Sequence, residues 1–248
     1  MIGDLIKVIE SQGFMVEKFS KVKSVEICDT SETIEFTVFR NSNEHKCHCK
    51  ETKESCTFED IQRFCNEGCA DKYIKEGDMF VIPGNFTVGE HDDFDEINAE
   101  NARVIAVSVK PSKVVFNFER ILFRHCIDEG YAGSGVFEET ELGGYLKGKF
   151  QNALEKKLGV NVLDCSLLSK ENVFEKDSEE YMPFFGERKN RIKTLFDDSE
   201  TWYWWLKTPS SADSTHFCSV DYGGVSSHTA ASDSDGGVAP AFDVGKRI

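Results

Sequence analysis

The sequence predicts an α+β fold: a small N-terminal α/β unit, residues 1–75, followed by a larger domain, residues 76–248. Three observations predict it. Short runs rich in β-branched and aromatic residues recur along the chain, as strands require. One stretch, Leu142 to Leu158, places Leu142, Tyr145, Leu146, Phe150, Ala153, Leu154 and Leu158 at steps of three and four, which gives a helix one apolar face. A polar break, Lys75-Glu76-Gly77-Asp78, separates a first group of elements from the rest. With 40% hydrophobic residues and 20 Phe, the chain can fill a sizeable core.

In order, Asp4 to Ser11 suggests a short amphipathic helix that ends near Gly13. Val25–Cys28 and Thr33–Arg40 alternate and read as strands joined through Asp29-Thr30-Ser31. Thr57 followed by Phe58-Glu59-Asp60 is an N-cap with an acidic first turn, opening a helix that Gly68 stops. Met79–Ile82 and Phe86–Val88 read as strands, and Gly89–Asn101 as a solvated acidic loop. Ala102–Val109 and Lys113–Phe118 are stronger strands around Lys110-Pro111. Beyond the long helix and its stop at Gly159, Val162–Leu168 is a strand and Ser169 caps a short helix through Phe174. Arg188–Lys193 suits a short helix or turn. Trp202–Leu206 alternates large aromatics, so Trp202, Tyr203, Trp204 and Trp205 cannot all face one core. The last strand is Val238–Val244, with Pro240 predicting an edge or bulged position.

Charge removes several classes of function. A net charge of −15 gives no basic surface for phosphates, so neither nucleic acid nor an anionic membrane is an expected partner. No apolar run is long enough for a transmembrane helix. The start, Met1 to Lys7, lacks a signal peptide's basic and apolar regions, so cytoplasmic synthesis is expected, compatible with association with a virion. The 9 cysteines are then expected as free thiols, with Cys126, Cys165 and Cys218 packed as small core hydrophobes.

No motif for catalysis or a cofactor stands out. His45, Cys47, His48, Cys49, Cys56, Cys65 and Cys69 are zinc-type ligands, but their spacing matches no common finger. Ser214, His216, Cys218, Asp221 and His228 offer the atoms of a nucleophile–base set without a nucleophile elbow or comparable motif. Gly130 to Gly135 is a flexible loop, and neither glycine-rich phosphate-loop pattern occurs. Asp92, Asp93, Asp95 and Glu96 lack the spaced calcium pattern, and Asp233-Ser234-Asp235-Gly236-Gly237 is equally weak as a calcium loop. The reading is no enzyme, no metal and no cofactor.

The C-terminal segment is the most informative. From Ser210 to Gly237 the only charged residues are Asp213, Asp221, Asp233 and Asp235. In a chain that is 29% charged, about eight would be usual for such a window. Glu, Lys, Gln, Met and Trp are absent, and Arg is absent as well. The first five are the residues unreachable from an Asn AAY codon by changing its adenines. The segment therefore fits an adenine-mutagenised cassette laid between Phe217, Cys218, Val220 and Val225, although a Gly/Ser/Asp-rich loop has similar composition.

The flanks carry a resemblance. Trp204-Trp205-Leu206-Lys207-Thr208-Pro209, then Phe217-Cys218-Ser219-Val220-Asp221, then Gly237-Val238-Ala239-Pro240-Ala241-Phe242 resemble an uncharacterised bacterial and phage family reading W-W-L-R-S-P … G-V-x-P-A-F. Leu167 to Phe174, Lys189 to Lys193 and the Thr140–Phe150 helix pattern also look like that family, so the resemblance spans roughly residues 76–248. Departures are Lys207 for the usual Arg, Thr208 for Ser, and Ala239 where many members have Arg. Some members resemble the variable proteins of diversity-generating retroelements. That resemblance implies a C-type-lectin-like domain over residues 76–248, with the domain's two ends paired as strands. It implies ligand binding and brings no enzymatic activity.

The expected function is therefore non-enzymatic recognition of a host-surface protein or glycan in a phage or prophage setting, with residues 210–236 as a diversified surface. Its expected ligand-binding residues are Ser210, Ala212, Asp213, Ser214, Thr215, His216, Ser219, Asp221, Tyr222, Gly224, Ser226, Ser227, His228, Thr229, Asp233 and Asp235. The polar members should be exposed on one shared face, where substitution costs little. Trp204, Trp205, Leu206, Phe217, Val220, Val238 and Phe242 are expected in the core. The alternatives are a phage or cytoplasmic structural protein without diversification and a metal-dependent enzyme. Oligomeric state is left open.

Overall fold

The computed structural model describes residues 24–30 and 33–39 by their backbone, and 56–89, 94–130, 135–198, 200–213 and 215–246 in full. The chain divides into two compact units, Met1–His48 and Cys49–Ile248. In the first, β1 (Ser24–Thr30) and β2 (Thr33–Phe39) form an antiparallel hairpin, from Ser24↔Phe39 to Thr30↔Thr33. The helix expected over residues 4–11 lies outside the described residues.

The second unit begins with α1 (Phe58–Glu67). Thr57 and Asp60 make the reciprocal capping box, and Gly68 closes the helix at φ 69°. α1 buries Phe58, Ile61, Phe64 and Cys65. The Phe58 ring lies 5.5 Å from Phe116, 6.1 Å from Phe80 and 6.3 Å from Phe242. The boundary thus falls after residue 48 rather than residue 75, because α1 needs the apolar sheet beyond it to cover its buried face.

After α2 (Ala70–Tyr73) come β3 (Met79–Val81), β4 (Asn85–Val88), β5 (Ile97–Glu100), β6 (Arg103–Lys110), β7 (Lys113–Phe118) and β8 (Phe123–Arg124). Helix α3 (Glu141–Tyr145) passes through a π turn, Leu146–Phe150, into α4 (Gln151–Leu158). Then follow β9 (Val162–Ser166), α5 (Lys170–Phe174), β10 (Lys193–Thr194), β11 (Thr201–Trp202), β12 (Trp204–Pro209), β13 (His216–Val220), β14 (Ser226–Ala230), β15 (Gly237–Val238) and β16 (Ala241–Gly245). Mixed helix and sheet make the fold α+β.

Two five-stranded sheets carry the unit, ordered β3-β6-β7-β16-β9 and β14-β13-β12-β15-β8. The expected single last strand is two short ones. β15 lies parallel to β12 in the second sheet, and β16 lies antiparallel to both β7 and β9 in the first. Pro240 sits where the chain changes sheets, which replaces the expected edge or bulge: a residue without an N–H is tolerated where no ladder asks for one. The buried Asn117 amide donates to Ala239 O at 2.9 Å and Pro240 O at 3.0 Å, satisfying the carbonyls of the crossing. β16 is an interior strand and pairs with β7 and β9, not with β3, so the first and last strands of the 76–248 segment do not pair as expected. β5 occupies part of the stretch expected as an acidic loop and pairs with β4; Ile97 and Ala99 are buried while Asn98 and Glu100 are exposed.

One apolar cluster joins α1, α3, α4 and the first sheet to Trp205, Phe217, Val238 and Phe242. A second gathers Trp204, Leu206, Cys218 and Val220 with Val107, Val173 and Phe185. Phe242 anchors the first, stacked on Phe116 at 5.3 Å and tilted against Phe118 at 6.0 Å. Replacing Phe242 by Ala removes this packing, and urea denaturation of the variant should show a loss of about 3–5 kcal/mol.

Candidate functional site: an aromatic corner and an edge hairpin

β12 sets the geometry. Successive side chains on a strand point to opposite faces, and here both faces are covered: Trp204 belongs to one apolar cluster and Trp205 to the other, each fully buried. The Trp204 indole N–H donates to Arg191 O at 2.8 Å, and that of Trp205 to His125 O at 2.9 Å. The preceding Trp202 and Tyr203 are only partly buried. They leave the core at the end of β12 where the β13–β14 turn arrives.

That turn is built by Asp221. Its Oδ1 accepts from Gly223 N at 2.9 Å and Val225 N at 2.7 Å, an Asx turn extended by one bond. Gly224 has φ +76°, and a Cβ there would stand 2.8 Å from Arg188 O. The Arg188 side chain donates to Gly223 O and fixes the turn from outside. The turn delivers Tyr222, 49% exposed, beside Trp202 at 5.5 Å and Tyr203 at 5.9 Å between ring centroids. Exposed Val225 and Ile192 extend the apolar surface.

Polar groups rim the corner. The Trp202 indole donates to Asp235 O at 2.7 Å, and the Arg124 guanidinium lies 5.4 Å over the Trp202 ring and 3.5 Å from the Asp235 carboxylate. Burial, then the carboxylates of Asp233 and Asp235, push the Tyr203 phenol well above its usual range, so it stays protonated. A cavity of about 490 Å³ shares Arg124 and Asp235 with the corner and is lined also by Phe94, Phe123, His125 and Ser234 among others.

At the opposite end of β13, Ser210 Oγ accepts from Ala212 N at 3.2 Å, and Asp213 Oδ1 accepts from Thr215 N at 2.9 Å and Thr215 Oγ1 at 2.7 Å. Those bonds hold the exposed Asp213 carboxyl below its ordinary pKa. Its other oxygen is 3.3 Å from His216 Nδ1, and the His216 and His228 rings are 5.7 Å apart.

The expected ligand-binding residues therefore do not share one face. Ser219 opposes Ser227, and Phe217 opposes Thr229, on the side of Trp205. Ser226 and His228 project to the other side with His216, because alternate residues of a pleated strand must. Ala212, Asp213, Tyr222, Ser226, Ser227, His228 and Asp235 are exposed; Ser210, Thr215, His216, Asp221, Thr229 and Asp233 are partly buried. Ser219 is 1% exposed and Gly224 is buried, so these two are framework rather than display positions. Ser214 lies outside the described residues. Arg124, Arg188 and Ile192 join the corner without any local sequence signal, since strand pairing and loop packing bring them there.

The expected scaffold residues Trp204, Leu206, Phe217, Val220, Val238 and Phe242 are all buried, as are Cys126, Cys165 and Cys218. His45, Cys47, His48 and Cys49 lie outside the described residues, as do Asp92 and Asp93. Cys65 packs into the core and donates to Val244 O at 3.5 Å. Among the described residues, no group of three or more His, Cys, Asp or Glu side chains could hold a metal ion, and no helix is long and apolar enough to cross a membrane.

A family model described as a domain of unknown function (DUF6273) matches residues 160–246. The match runs from the approach to β9 through β16 and includes the whole aromatic corner except Arg124. No curated protein and no solved structure matches the chain.

Behind the corner, buried Lys193 donates Nζ to Phe118 O and lies 5.1 Å over the Trp204 ring. Burial lowers its pKa from 10.5 to about 7 against a smaller opposing pull from Glu119. The unfolded chain then binds the extra proton between about pH 7 and 10.5, so this group makes folding more favourable as pH rises through that window. The stability difference between wild type and Lys193→Met should shift toward wild type from pH 7 to 8.5, by up to about 1.4 kcal/mol per pH unit, read by urea unfolding at each pH.

Proposed function

We propose that the chain is a non-enzymatic ligand-binding protein whose C-terminal domain is C-type-lectin-like and recognises a host-surface protein or glycan in a phage or prophage setting. The observation that carries this reading is the aromatic corner. Trp202, Tyr203 and Tyr222 converge at the surface, with Arg124, Asp235 and an adjoining cavity supplying donors and acceptors. Rigid aromatics flanked by adaptable small polar side chains are the composition of recognition surfaces.

Diversification of residues 210–236 by adenine mutagenesis fits the exposed positions, where replacement changes stability by about half a kcal/mol or less. It does not fit Ser219 or Gly224, where a new side chain meets packed atoms or a strained backbone. The flanking DNA tests this part: a near-copy repeat beside a reverse transcriptase gene should differ from the coding repeat at adenines. Its differences should fall on codons such as those of Asp213, Tyr222, Ser226, Ser227 and His228 and spare those of Ser219 and Gly224. A repeat varying equally at buried and exposed codons, or no repeat at all, favours a constant structural loop.

Binding itself is tested on arrays of purified host-surface proteins and glycans. Tyr222→Ala should weaken a bound partner by about 1–2 kcal/mol, as truncated aromatic anchors do, while melting hardly changes. A chelator should leave affinity as it was. Unchanged affinity in the variant, or loss on chelation, overturns the reading.

A further inference from the structure

We infer that the partner includes a polypeptide segment that binds as an added strand along the free edge of β14, an inference that rests on the ligand-binding reading above. β14 ends its sheet. Ala231 N donates to Thr215 O at 2.9 Å and Asp221 N to Val225 O at 2.9 Å, which sets the phase of the β13–β14 ladder. Residues 225, 227, 229 and 231 turn their main-chain groups toward β13. The alternation of an antiparallel pair then points those of Ser226, His228 and Ala230 away from it. Ala230 O accepts from Asp233 N at 3.0 Å. The N–H and C=O of Ser226 and His228, and the N–H of Ala230, remain directed outward.

This edge lacks the usual guards. Exposed edges are normally blunted by charge, proline, a bulge or shortness. Val225 to Ala231 reads Val-Ser-Ser-His-Thr-Ala-Ala, without Lys, Arg, Asp, Glu or Pro, and the register with β13 has no shift. The other ends of the two five-stranded sheets differ. β3 is three residues long, β8 is two residues long and carries Arg124, and β9 carries Asp164 and pairs with β16 through a register shift.

Charge describes the guest. Asp213 and Asp233 stand at one end of β14, and at the other Asp221 shares the Gly223 turn with the Arg188 side chain, which offsets its charge. An extended segment of β-forming residues with Lys or Arg at the end that meets Asp213 and Asp233 is complementary. A second copy is disfavoured, because each chain carries a net charge of −15. Main-chain bonds would give affinity whatever occupies positions 226–229, while Ser226 and His228 on one face and Ser227 and Thr229 on the other give selectivity. Side-chain variation at these positions therefore leaves the docking bonds intact.

The test uses the full chain and a library of short peptides with a randomised core between Lys-Lys ends, alongside a glycan array. Peptides should be enriched, and His228→Pro should weaken them by about tenfold or more, since the ring removes an outward donor but no β13–β14 bond. His228→Ala should change which peptides bind. In the wild type, bound peptide should slow amide hydrogen exchange at Ser226, His228 and Ala230 more than at Ser227 and Thr229, a readout that does not depend on the proline variant folding. The inference is overturned by failure to enrich peptides, by peptides that ignore His228→Pro and leave the outward amides unprotected, or by a wild-type dimer that His228→Pro dissociates. Glycan binding lost in Tyr222→Ala but kept in His228→Pro would overturn the added strand and leave the ligand-binding reading standing. Absence of any ligand on either array would overturn both.

Discussion

Two adjacent indoles on opposite faces of one strand govern the C-terminal half of the larger unit. Trp204 and Trp205 are each fully buried, and each N–H reaches a loop carbonyl, at Arg191 and His125. A buried indole without a partner for its N–H leaves a desolvated donor, so the two loops are tied to the strand as firmly as the rings are packed. Over Trp204–Leu206 the central strand of this sheet has no solvent-facing side. Whatever the second sheet offers to a partner must come from its rim: the aromatic corner where β12 begins, the turns, and the outer strand β14.

The same constraint decides which residues of the 210–236 segment are free. Gly236 lies against the Trp205 indole, where a Cβ would come within 1.8 Å of Nε1. Ser219 lies on the same side of the sheet as Trp205 and is buried with it. One pair across, the strand opens: Ser227 and Thr229 face that side from β14, and Ser227 is exposed. Exposure therefore depends on distance from the tryptophan strand, not on residue type. Composition alone places Ser219 and Ser227 in one class; packing separates them.

This explains what could and could not be read from the sequence. The caps at Thr57 and Ser169, the stops at Gly68 and Gly159, and the apolar face from Leu142 to Leu158 are local signals, and the elements they predict are present. The π turn inside the long helix leaves no mark in the apolar spacing, because a single wide turn shifts the buried face by less than one position. β5 hides in acidic surroundings, since only Ile97 and Ala99 face inward. Pro240 was legible as an obstacle to a ladder but not as a crossing between sheets, because that depends on Asn117, far away in sequence, to bind the freed carbonyls. The aromatic corner was half legible. Trp202, Tyr203 and Tyr222 stand out in the sequence, whereas Arg124 arrives through the β8–β15 pairing and Arg188 through the packing of its loop on the turn.

The corner and the edge strand also differ in what they ask of the framework. At the corner, Tyr222 is positioned by an Asx turn whose geometry depends on Asp221, Gly224 and Arg188 together; changing any one moves the ring. Along β14, position is set by main-chain bonds to β13, and the side chains of Ser226, Ser227 and His228 have no part in setting it. Replacing an exposed strand residue alters stability by about half a kcal/mol or less, while Gly224 with its left-handed φ tolerates no ordinary side chain without strain. A surface that must keep its shape while its chemistry varies is therefore better drawn along the strand than around the turn. The residues from Ser226 to Ala230 occupy the part of the segment where variation disturbs the tryptophan scaffold least.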